Sequence, residues 1–442
     1  MNIYFHIDEL KRDSIVASGL KKKFKALGHN LVYGNRVIGP LLKIFHGAFD
    51  VIVLPRPHFI ADILGRESLD WNQKVVILST ESLGIICKDH EVMARTLLED
   101  SFFNDDPSYV NKISAFCLWG ERQKKAIDTY APEISKKCHI IGHPRHDDCA
   151  LRNSSRASKK LKNIGIVTRA NGLNDYYGRM AIESFEVLFD DHFQFEYINQ
   201  KSGRKLKSTR PSAYPRNNLI VQSYDTQNLL KIMKALNQQD CKISVRCHPK
   251  ENLTVWEELF KKCEIEVKIS DSMAPITHWL EDIDVVIGPP STTFYDAAIE
   301  LTPCISIANI DQSRSQYIGE LWEEKNELMK DIIAPDSIEE IITQALVADE
   351  LVLSESIQKT LKSEADFPEC RQSLDKFVDI CIEIATPVKP RPVLVALYKI
   401  TSSIYFTLWA IKNLIISREA NSSRFTLSRS TISFIDSLTA KL

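Results

Sequence analysis

The sequence has no C-x-x-C pair, little glycine and no excess of charge of one sign. Its ten cysteines are scattered, which excludes the ligand spacing of common zinc and redox sites and indicates a reducing, cytosolic setting without disulfides. With 15 glycines and 18 prolines it is neither collagen-like nor of low complexity. The net charge of -2 argues against a nucleic-acid binder. No basic segment followed by a long apolar run opens the chain, so no signal peptide is expected.

What is present is an alternation of short apolar runs and amphipathic segments. The 442 residues suffice for about two or three domains, and 44% of them are hydrophobic. In the first half, helices are predicted over 14–27 and 121–130, and strands over 1–6, 30–33, 50–55, 74–79, 114–118 and 138–142. Apolar strands separated by helices predict a parallel sheet covered on both faces, and thus a Rossmann-like domain over residues 1–150.

The alternation restarts after a polar, basic linker at 152–160. Strands are predicted over 163–168, 242–246, 267–270, 284–288 and 303–307, with helices over 228–236, 255–263, 274–281 and 293–301. The basic segment 201–216 is predicted to be a surface loop, with contact to an anionic acceptor as the alternative. A second doubly wound unit over 160–345 follows, and the two units are expected to face a cleft. A helical closing segment is predicted over 346–388.

The tail, residues 389–442, differs in composition. An apolar, aromatic run over 393–416 is long enough to span a bilayer, which takes about 20 residues, but Lys399 and Lys412 fall inside it. The residues after it are mostly basic. This favours an amphipathic helix on the surface of an anionic membrane. A core helix packed across the two domains and a true membrane span are the alternatives.

Candidate binding residues follow two strands of the second unit. The first group is Arg246-Cys-His-Pro-Lys-Glu251, in which Pro249 sets a turn. His248 at a strand end is expected to donate to a phosphate or a ribose hydroxyl. Lys250 adds a positive charge, and Glu251 is a candidate ribose acceptor. An ordinary turn with a surface histidine is the alternative.

The second group is Gly288-Pro-Pro-Ser-Thr-Thr293, between a strand and a helix. Ser291, Thr292 and Thr293 fall at the expected start of the helix, where free N–H groups, hydroxyls and the helix dipole favour phosphate. Ordinary N-capping is the alternative. The two groups together predict a nucleotide site.

The sequence resembles bacterial GT-B glycosyltransferases of surface-polysaccharide synthesis, in particular the sialyl- and Kdo-transferases that use CMP-activated sugars. Those families carry an HP motif and an S-S/T motif in the donor domain, matched here by His248-Pro249 and Ser291-Thr292. The segment 141–147 is similar to the G-x-P-R-x-D step that ends the N-terminal domain in related proteins, including CDP-glycerol-type transferases. The stretch from Gly288 to Glu300 resembles the G-x-S-S/T…E-A stretch of GT-B donor domains.

The resemblance implies a two-domain transferase with an acceptor domain over 1–150 and a donor domain over 160–345. It implies inverting, metal-independent transfer of an acidic sugar such as Kdo or sialic acid from CMP to a glycan or lipid-linked acceptor, with no cofactor beyond the donor. The chemistry needs a carboxylate base. The acidic-Gly motif of sialyltransferases is missing, and Glu81 in Thr80-Glu-Ser-Leu-Gly84 is the candidate base, with Asp105 and Asp106 as rivals.

Three more residues are weighed beside these. Arg169 follows the first strand of the donor domain, where the resemblance places it near phosphates or the sugar carboxylate, with a solvated loop as the alternative. Ser270 is a further strand-end candidate. Arg145 is a substrate-site candidate, but a structural hinge pair with Asp147 is the favoured interpretation. The competing functions are a CDP-polyol phosphotransferase, a UDP-sugar 2-epimerase and an inactive partner protein. The expected location is cytoplasmic, at the inner face of the membrane.

Overall fold

The computed structural model describes residues 1–8, 10–79, 90–98, 108–147, 162–174, 196–199, 204–207, 213–270, 274–311, 328, 332–348, 354–385 and 391–419. Most of them form two parallel sheets with helices on both faces. This confirms the α/β, doubly wound architecture predicted from the alternating apolar pattern.

The N-terminal sheet has six parallel strands in the order β2-β1-β3-β4-β5-β6. They are β1 (Asn2–His6), β2 (Asn30–Gly34), β3 (Val51–Leu54), β4 (Lys74–Leu78), β5 (Ile113–Leu118) and β6 (Cys138–Ile140). The central strands are buried along nearly their whole length because helices cover both faces, and their sequences are therefore continuous apolar runs. The helices are α1 (Leu10–Ala26), α2 (Leu42–Phe45), α3 (His90–Leu98), α4 (Ser108–Lys112), α5 (Glu121–Tyr130) and α6 (Pro132–Ser135).

The second sheet has five parallel strands in the order β11-β10-β7-β12-β13. They are β7 (Lys162–Val167), β10 (Cys241–Arg246), β11 (Lys268–Ile269), β12 (Val285–Gly288) and β13 (Cys304–Ser306). Its helices are α7 (Ala213–Leu236), α8 (Leu253–Lys262), α9 (Ile276–Glu281), α10 (Thr293–Ile299) and α11 (Ile338–Val347). Side-chain oxygens of Asn252 and Ser337 accept hydrogen bonds from backbone N–H groups of the first turns of α8 and α11. These N-cap hydrogen bonds fix where α8 and α11 begin.

The segment predicted as a basic loop, 201–216, is partly regular. Its residues 204–207 form β9 (Arg204–Lys207), which pairs antiparallel with β8 (Glu196–Asn199), and α7 already begins at Ala213. The prediction of a loop is wrong for residues 204–207, because their basic composition alone did not distinguish a strand from a loop.

The C-terminal helices return the chain to the first domain. They are α12 (Glu355–Ala365), α13 (Ser373–Ile384) and α14 (Pro392–Glu419). Helix α12 packs in the core of the second domain, whereas α13 places Leu374 and Phe377 in the apolar layer beneath α1. Helix α14 places Val395 and Tyr398 in the layer on the opposite face of the N-terminal sheet. Both faces of the first domain are thus completed by residues from the end of the chain.

Candidate functional site

The candidate residues of the second domain stand at the carboxyl edge of three adjacent strands. Strand β7 lies between β10 and β12 and pairs in parallel with both. The loop with Arg169 follows β7, the loop with His248 follows β10, and the loop with Ser291 follows β12. The outer two loops are therefore separated by two strand spacings, about 10 Å. A nucleotide could therefore contact one outer loop through its phosphate and the other through its sugar.

His248 belongs to a turn whose shape fixes its imidazole. The backbone N–H of Glu251 donates to the His248 carbonyl at 2.9 Å, which closes the turn expected around Pro249. The backbone N–H of Lys250 donates to His248 Nδ1 at 3.2 Å. Since Nδ1 is an acceptor, the neutral ring carries its proton on Nε2 and has a hydrogen-bond donor there. The Lys250 side chain itself is exposed.

Glu251 does not face a ligand. Its side chain is fully buried and accepts four hydrogen bonds, from the Thr168 hydroxyl, the backbone N–H of Ala170 and of His248, and the indole of Trp256. Burial raises the pKa of Glu251, against the lowering effect of these bonds. The prediction of a ribose acceptor is therefore corrected. Glu251 is buried, and its hydrogen bonds connect the loop after β7 to the loop after β10. A polar residue next to His-Pro does not by itself show which way it points.

Arg169 is held between the loop after β12 and helix α7. Its Nη1 donates to the carbonyl oxygen of Pro290 at 3.1 Å, and its Nη2 lies 3.6 Å from Asp225 Oδ2. Asp225 is on α7 and is 1% exposed. This aspartate was not predicted as a site residue, although an acidic residue on the buried side of an amphipathic helix is a usable signal. The pairing orients the guanidinium toward the loop of Ser291.

The loop after β12 is tightly packed and leaves one hydroxyl unused. A Cβ on Gly288 would lie 2.3 Å from Val167 Cγ2, so glycine is required where β12 passes the end of β7. The Ser291 hydroxyl is shielded from solvent and has no hydrogen-bond partner in the described part of the chain. Thr292 is the N-cap of α10 but makes no side-chain capping bond, and Thr293 opens the helix. The ordinary capping pattern is thus not formed.

Ser270 stands apart from this group. It follows β11, on the far side of β10 from β7, and its hydroxyl accepts a hydrogen bond from Arg246 Nη1 at 3.2 Å. Arg246 in turn donates through Nη2 to the Ala274 carbonyl oxygen at 2.5 Å. The structure therefore does not bring Ser270 together with Arg169 and Ser291.

Arg145 links the two domains beside the Ser291 loop. Its Nε lies 3.0 Å from Asp296 Oδ1 on α10, and its guanidinium carbon lies 4.9 Å from the ring centroid of Trp119. The same carboxylate oxygen lies 3.0 Å from His146 Nε2. Burial is the main cause that lowers the pKa of His146.

The expected pairing of Arg145 with Asp147 is corrected. Asp147 instead accepts hydrogen bonds from the backbone N–H of Leu374 at the start of α13, with N–O distances of 3.0 and 3.2 Å. Gly142 has φ +74, and a Cβ there would lie 2.5 Å from that of Cys370. The whole Gly-x-P-R-x-D step is thus built against the second domain and the helices that follow it.

The candidate bases Glu81, Asp105 and Asp106 lie outside the described residues. The strand that leads to Glu81 is anchored at its end, because the Trp119 indole donates to the carbonyl oxygen of Ser79 at 2.9 Å. Within the described ranges, no group of three His, Cys, Asp or Glu side chains is placed to hold a metal ion. What the described edge offers is a neutral imidazole donor, a guanidinium and a buried hydroxyl, which together suit an anionic group.

No protein-family model and no curated protein matches the chain. Among solved structures, the wall teichoic acid polymerase TagF is similar, at 12% identity and a TM-score of 0.51, over 86% of this chain and 89% of that one. A TagF variant soaked with CDPG is 11% identical, with a TM-score of 0.51 over 86% of this chain and 88% of that one. MnaA of S. aureus in a co-structure with UDP is 8% identical, with a TM-score of 0.46 over 88% of this chain and 98% of that one. The likeness to TagF agrees with the GT-B-like fold expected from the motifs.

Proposed function

We propose that the chain is a transferase that takes a group from a cytidine-nucleotide donor and releases CMP, with a CMP-activated acidic sugar as the donor. The observation that carries the proposal is the placement of Arg169, His248 and Ser291 on three adjacent loops at one edge of the second sheet. A glycan or lipid-linked glycan is the proposed acceptor, bound by the first domain.

In this mechanism the second domain stabilises the leaving phosphate. His248 donates from Nε2 to a phosphate oxygen, as its tautomer allows. Arg169 supplies positive charge from the central loop, and Ser291 supplies the hydroxyl that has no partner in the described chain. Fixed donors that face developing negative charge are worth about 10²–10³ in turnover each. Arg145 pairs with Asp296 on α10 and so fixes the first domain beside the donor loop.

The acceptor is activated from the first domain. The acceptor hydroxyl oxygen forms a bond to the anomeric carbon while the bond from that carbon to the phosphate oxygen breaks. CMP leaves with the electron pair, and the acceptor proton passes to a carboxylate, which we assign to Glu81. The product has inverted configuration, because a single displacement occurs.

A CDP-polyol phosphotransferase is the second candidate, since a TagF structure was obtained with CDPG. There the acceptor oxygen attacks the β-phosphorus of the donor instead of a carbon, and the leaving group is again CMP. The same imidazole, guanidinium and hydroxyl serve both reactions. The two candidates therefore differ in the group transferred and not in the group released.

A donor screen tests the proposal. The full chain is melted with CMP, CDP, UDP and GDP, and a ligand at 100 times its Kd stabilises the folded state by about 2.7 kcal/mol. We expect the cytidine nucleotides to raise the Tm most. CMP release is then followed with CMP-sialic acid, CMP-Kdo and CDP-glycerol as donors. A shift with UDP alone would refute the cytidine donor and favour the UDP-sugar epimerase.

We also propose that α14 attaches the enzyme to the inner face of the cytoplasmic membrane. In the described chain, one helix, over Pro392–Ala410, is long and apolar enough to cross a membrane by length and composition alone. It rests on the first domain through Val395, Tyr398 and Ser402, which are buried. At 100° per residue, a second apolar stripe lies on the opposite side and is exposed: Val393, Leu397, Ile400, Ile404 and Leu408.

A helix that is apolar on two opposite sides suits a position between the protein and a lipid surface. The stripe runs over about 22 Å of helix, and Ile44 on the neighbouring α2 is 72% exposed. Basic residues after the helix favour anionic lipid. We expect the full chain to float with anionic vesicles and a variant with serine at Leu397, Ile400 and Ile404 to remain unbound. Equal flotation of both would reject this attachment.

A further inference from the structure

A polar cavity of about 420 Å³ lies at the edge of the first sheet opposite the candidate catalytic edge. It opens at the amino ends of β4 and β5, between the segment that precedes β4 and helix α4. Its lining includes Trp71, Asn72, Lys74, Asn111, Lys112 and Ser114. None of these residues has a role in the transfer reaction, whose groups follow the carboxyl ends of strands.

Two of the lining side chains are lysines, Lys74 and Lys112. No described carboxylate lies within ion-pair distance of Lys74 or Lys112, while five other described lysines pair with a described carboxylate. Lys112 is 8% exposed, and its ammonium donates to the Trp71 carbonyl oxygen at 2.5 Å. Burial, followed by the charge of Lys74, lowers the pKa of Lys112 to about 8, with Asp70 acting in the opposite direction. A bound anion would relieve this unfavourable concentration of positive charge.

The surroundings increase the positive potential and add hydrogen-bond donors. Lys137 Nζ lies 3.3 Å from the carbonyl oxygens of Val110 and Asn111, at the same edge of the sheet. Amide side chains of Asn72 and Asn111 line the cavity and can donate to oxygen. Two ammonium groups and neutral amides match the charge and the oxygens of a phosphate ester better than those of a single carboxylate.

The cavity also adjoins the helix that we assign to the membrane. The ring of Trp71 stacks on His46 with centroids 4.2 Å apart, and His46 belongs to the turn His46–Ala48 against which α14 packs. Only the stacked rings of Trp71 and His46 therefore separate a ligand in the cavity from the turn on which α14 packs. A phosphate ester could reach it either as a free small molecule or as the headgroup of a lipid.

We propose that the cavity lined by Lys74 and Lys112 is a second binding site, separate from the donor site, for a phosphate ester. The proposal does not depend on which nucleotide the second domain takes. Lys112 holds the phosphate from the buried side, Lys74 holds it from the open side, and the asparagines contact the remaining oxygens.

Hydrogen–deuterium exchange on the full chain tests the site, because it reports where a ligand binds. The probes are sn-glycerol 3-phosphate and vesicles of phosphatidylglycerol, with phosphatidylcholine vesicles as the neutral comparison. We expect slower exchange in residues 68–74 and 108–114. Lys74→Gln should weaken this protection about tenfold in apparent affinity, since it removes a charge-assisted bond. Lys74→Arg should retain it, and Lys125→Gln, an exposed lysine of the same domain, should change nothing.

The outcomes separate the sources of the ligand. Protection by the free ester identifies a soluble ligand, and protection by phosphatidylglycerol vesicles alone identifies a lipid headgroup, provided that Lys74→Gln reduces it. Protection confined to residues 246–251 and 288–293 would mean that the ester binds at the donor site only, and would overturn the proposal. So would an absence of protection by both probes, or an equal effect of Lys74→Gln and Lys125→Gln.

Discussion

Arg145 and Asp296 form an ion pair between the two domains, with 3.0 Å between Nε and Oδ1. Arg145 belongs to the last turn of the first domain, and Asp296 lies on α10, directly after the loop that carries Ser291. The pair, together with Trp119 and His146, makes the position of the candidate donor loop depend on the first domain. The relative placement of the domains is therefore part of the site.

Breaking this pair should destabilise the protein. Arg145→Met leaves the buried Asp296 without its main partner, and we expect a loss of about 3 kcal/mol in the free energy of unfolding. Asp296→Asn and the double variant complete a double-mutant cycle, in which the effects should not add. Arg95→Met, which breaks an exposed pair with Glu91, should cost less than about 1 kcal/mol. Additive effects in denaturant titrations would contradict a direct coupling.

Removal of the His248 imidazole should lower turnover with little effect on stability. His248 is partly exposed in its turn, and its proposed role is to donate to the leaving phosphate. We expect His248→Ala to lower kcat roughly 100-fold with the best cytidine donor. His278→Ala on the exposed side of α9 is the matched control and should keep full activity. Comparable rates for the two variants would remove His248 from the mechanism.

Glu251 should behave in the opposite way. Glu251→Ala would leave three buried donors, from Thr168, Ala170 and Trp256, without their acceptor, so we expect a lower Tm and loss of activity in proportion to the unfolded fraction. Glu251→Gln keeps the shape and can accept through its Oε1, and it should recover part of the stability. Thermal melts with and without CMP measure both effects. A stable Glu251→Ala variant with weakened CMP binding would restore the ribose contact that the sequence suggested.

A methyl group at Gly142 should cost more than one at Gly28. Both glycines have a positive φ, of 74° and 76°, but only at Gly142 would a Cβ meet Cys370, at 2.5 Å. We expect Gly142→Ala to lose roughly 2–4 kcal/mol from strain and overpacking. Gly28→Ala should lose about 1 kcal/mol from the backbone conformation alone. Urea unfolding compares the two, and equal losses would mean that the contact with Cys370 is easily relieved.

Asp147 should make stability fall as the pH rises toward neutrality. Burial raises the pKa of Asp147 from 3.8 to about 7. Between these values the unfolded chain has released the proton and the folded protein has kept it, so the free energy of unfolding decreases with increasing pH. Asp147→Asn should remove this slope in titrations from pH 4 to 8. Asp128→Asn, at an exposed carboxyl whose pKa is lowered by Lys124 and Ser135, should not. Parallel profiles for Asp147→Asn and the natural chain would show that the group titrates normally.

The strands and the loops after them could be predicted from the sequence, because buried parallel strands are continuous apolar runs and chemistry collects at their carboxyl ends. The direction of a side chain within such a loop could not. Glu251 and His248 are three residues apart, yet Glu251 is buried in hydrogen bonds between two loops and His248 is partly exposed in a turn. Arg145 was matched with Asp147 because they are neighbours in sequence. Its partner is on α10, and only the docking of the two domains brings it near.

Helix α14 is apolar on two opposite sides. One apolar side covers Tyr4 and Phe49 through Tyr398, and the other is exposed. Lys399 and Ser403 lie between the two sides. A periodicity argument that assumes a single buried face cannot separate these two stripes.

The return of α13 and α14 to the first domain has a consequence for biosynthesis. Leu374, Phe377, Val395 and Tyr398 complete the apolar layers on the two faces of the N-terminal sheet. While a ribosome is still translating the second domain, the sheet made first is left with uncovered hydrophobic patches on both sides. The nascent chain thus needs shielding until its last helices emerge. A protein truncated before α13 would expose these apolar surfaces and would aggregate rather than fold as an independent first domain.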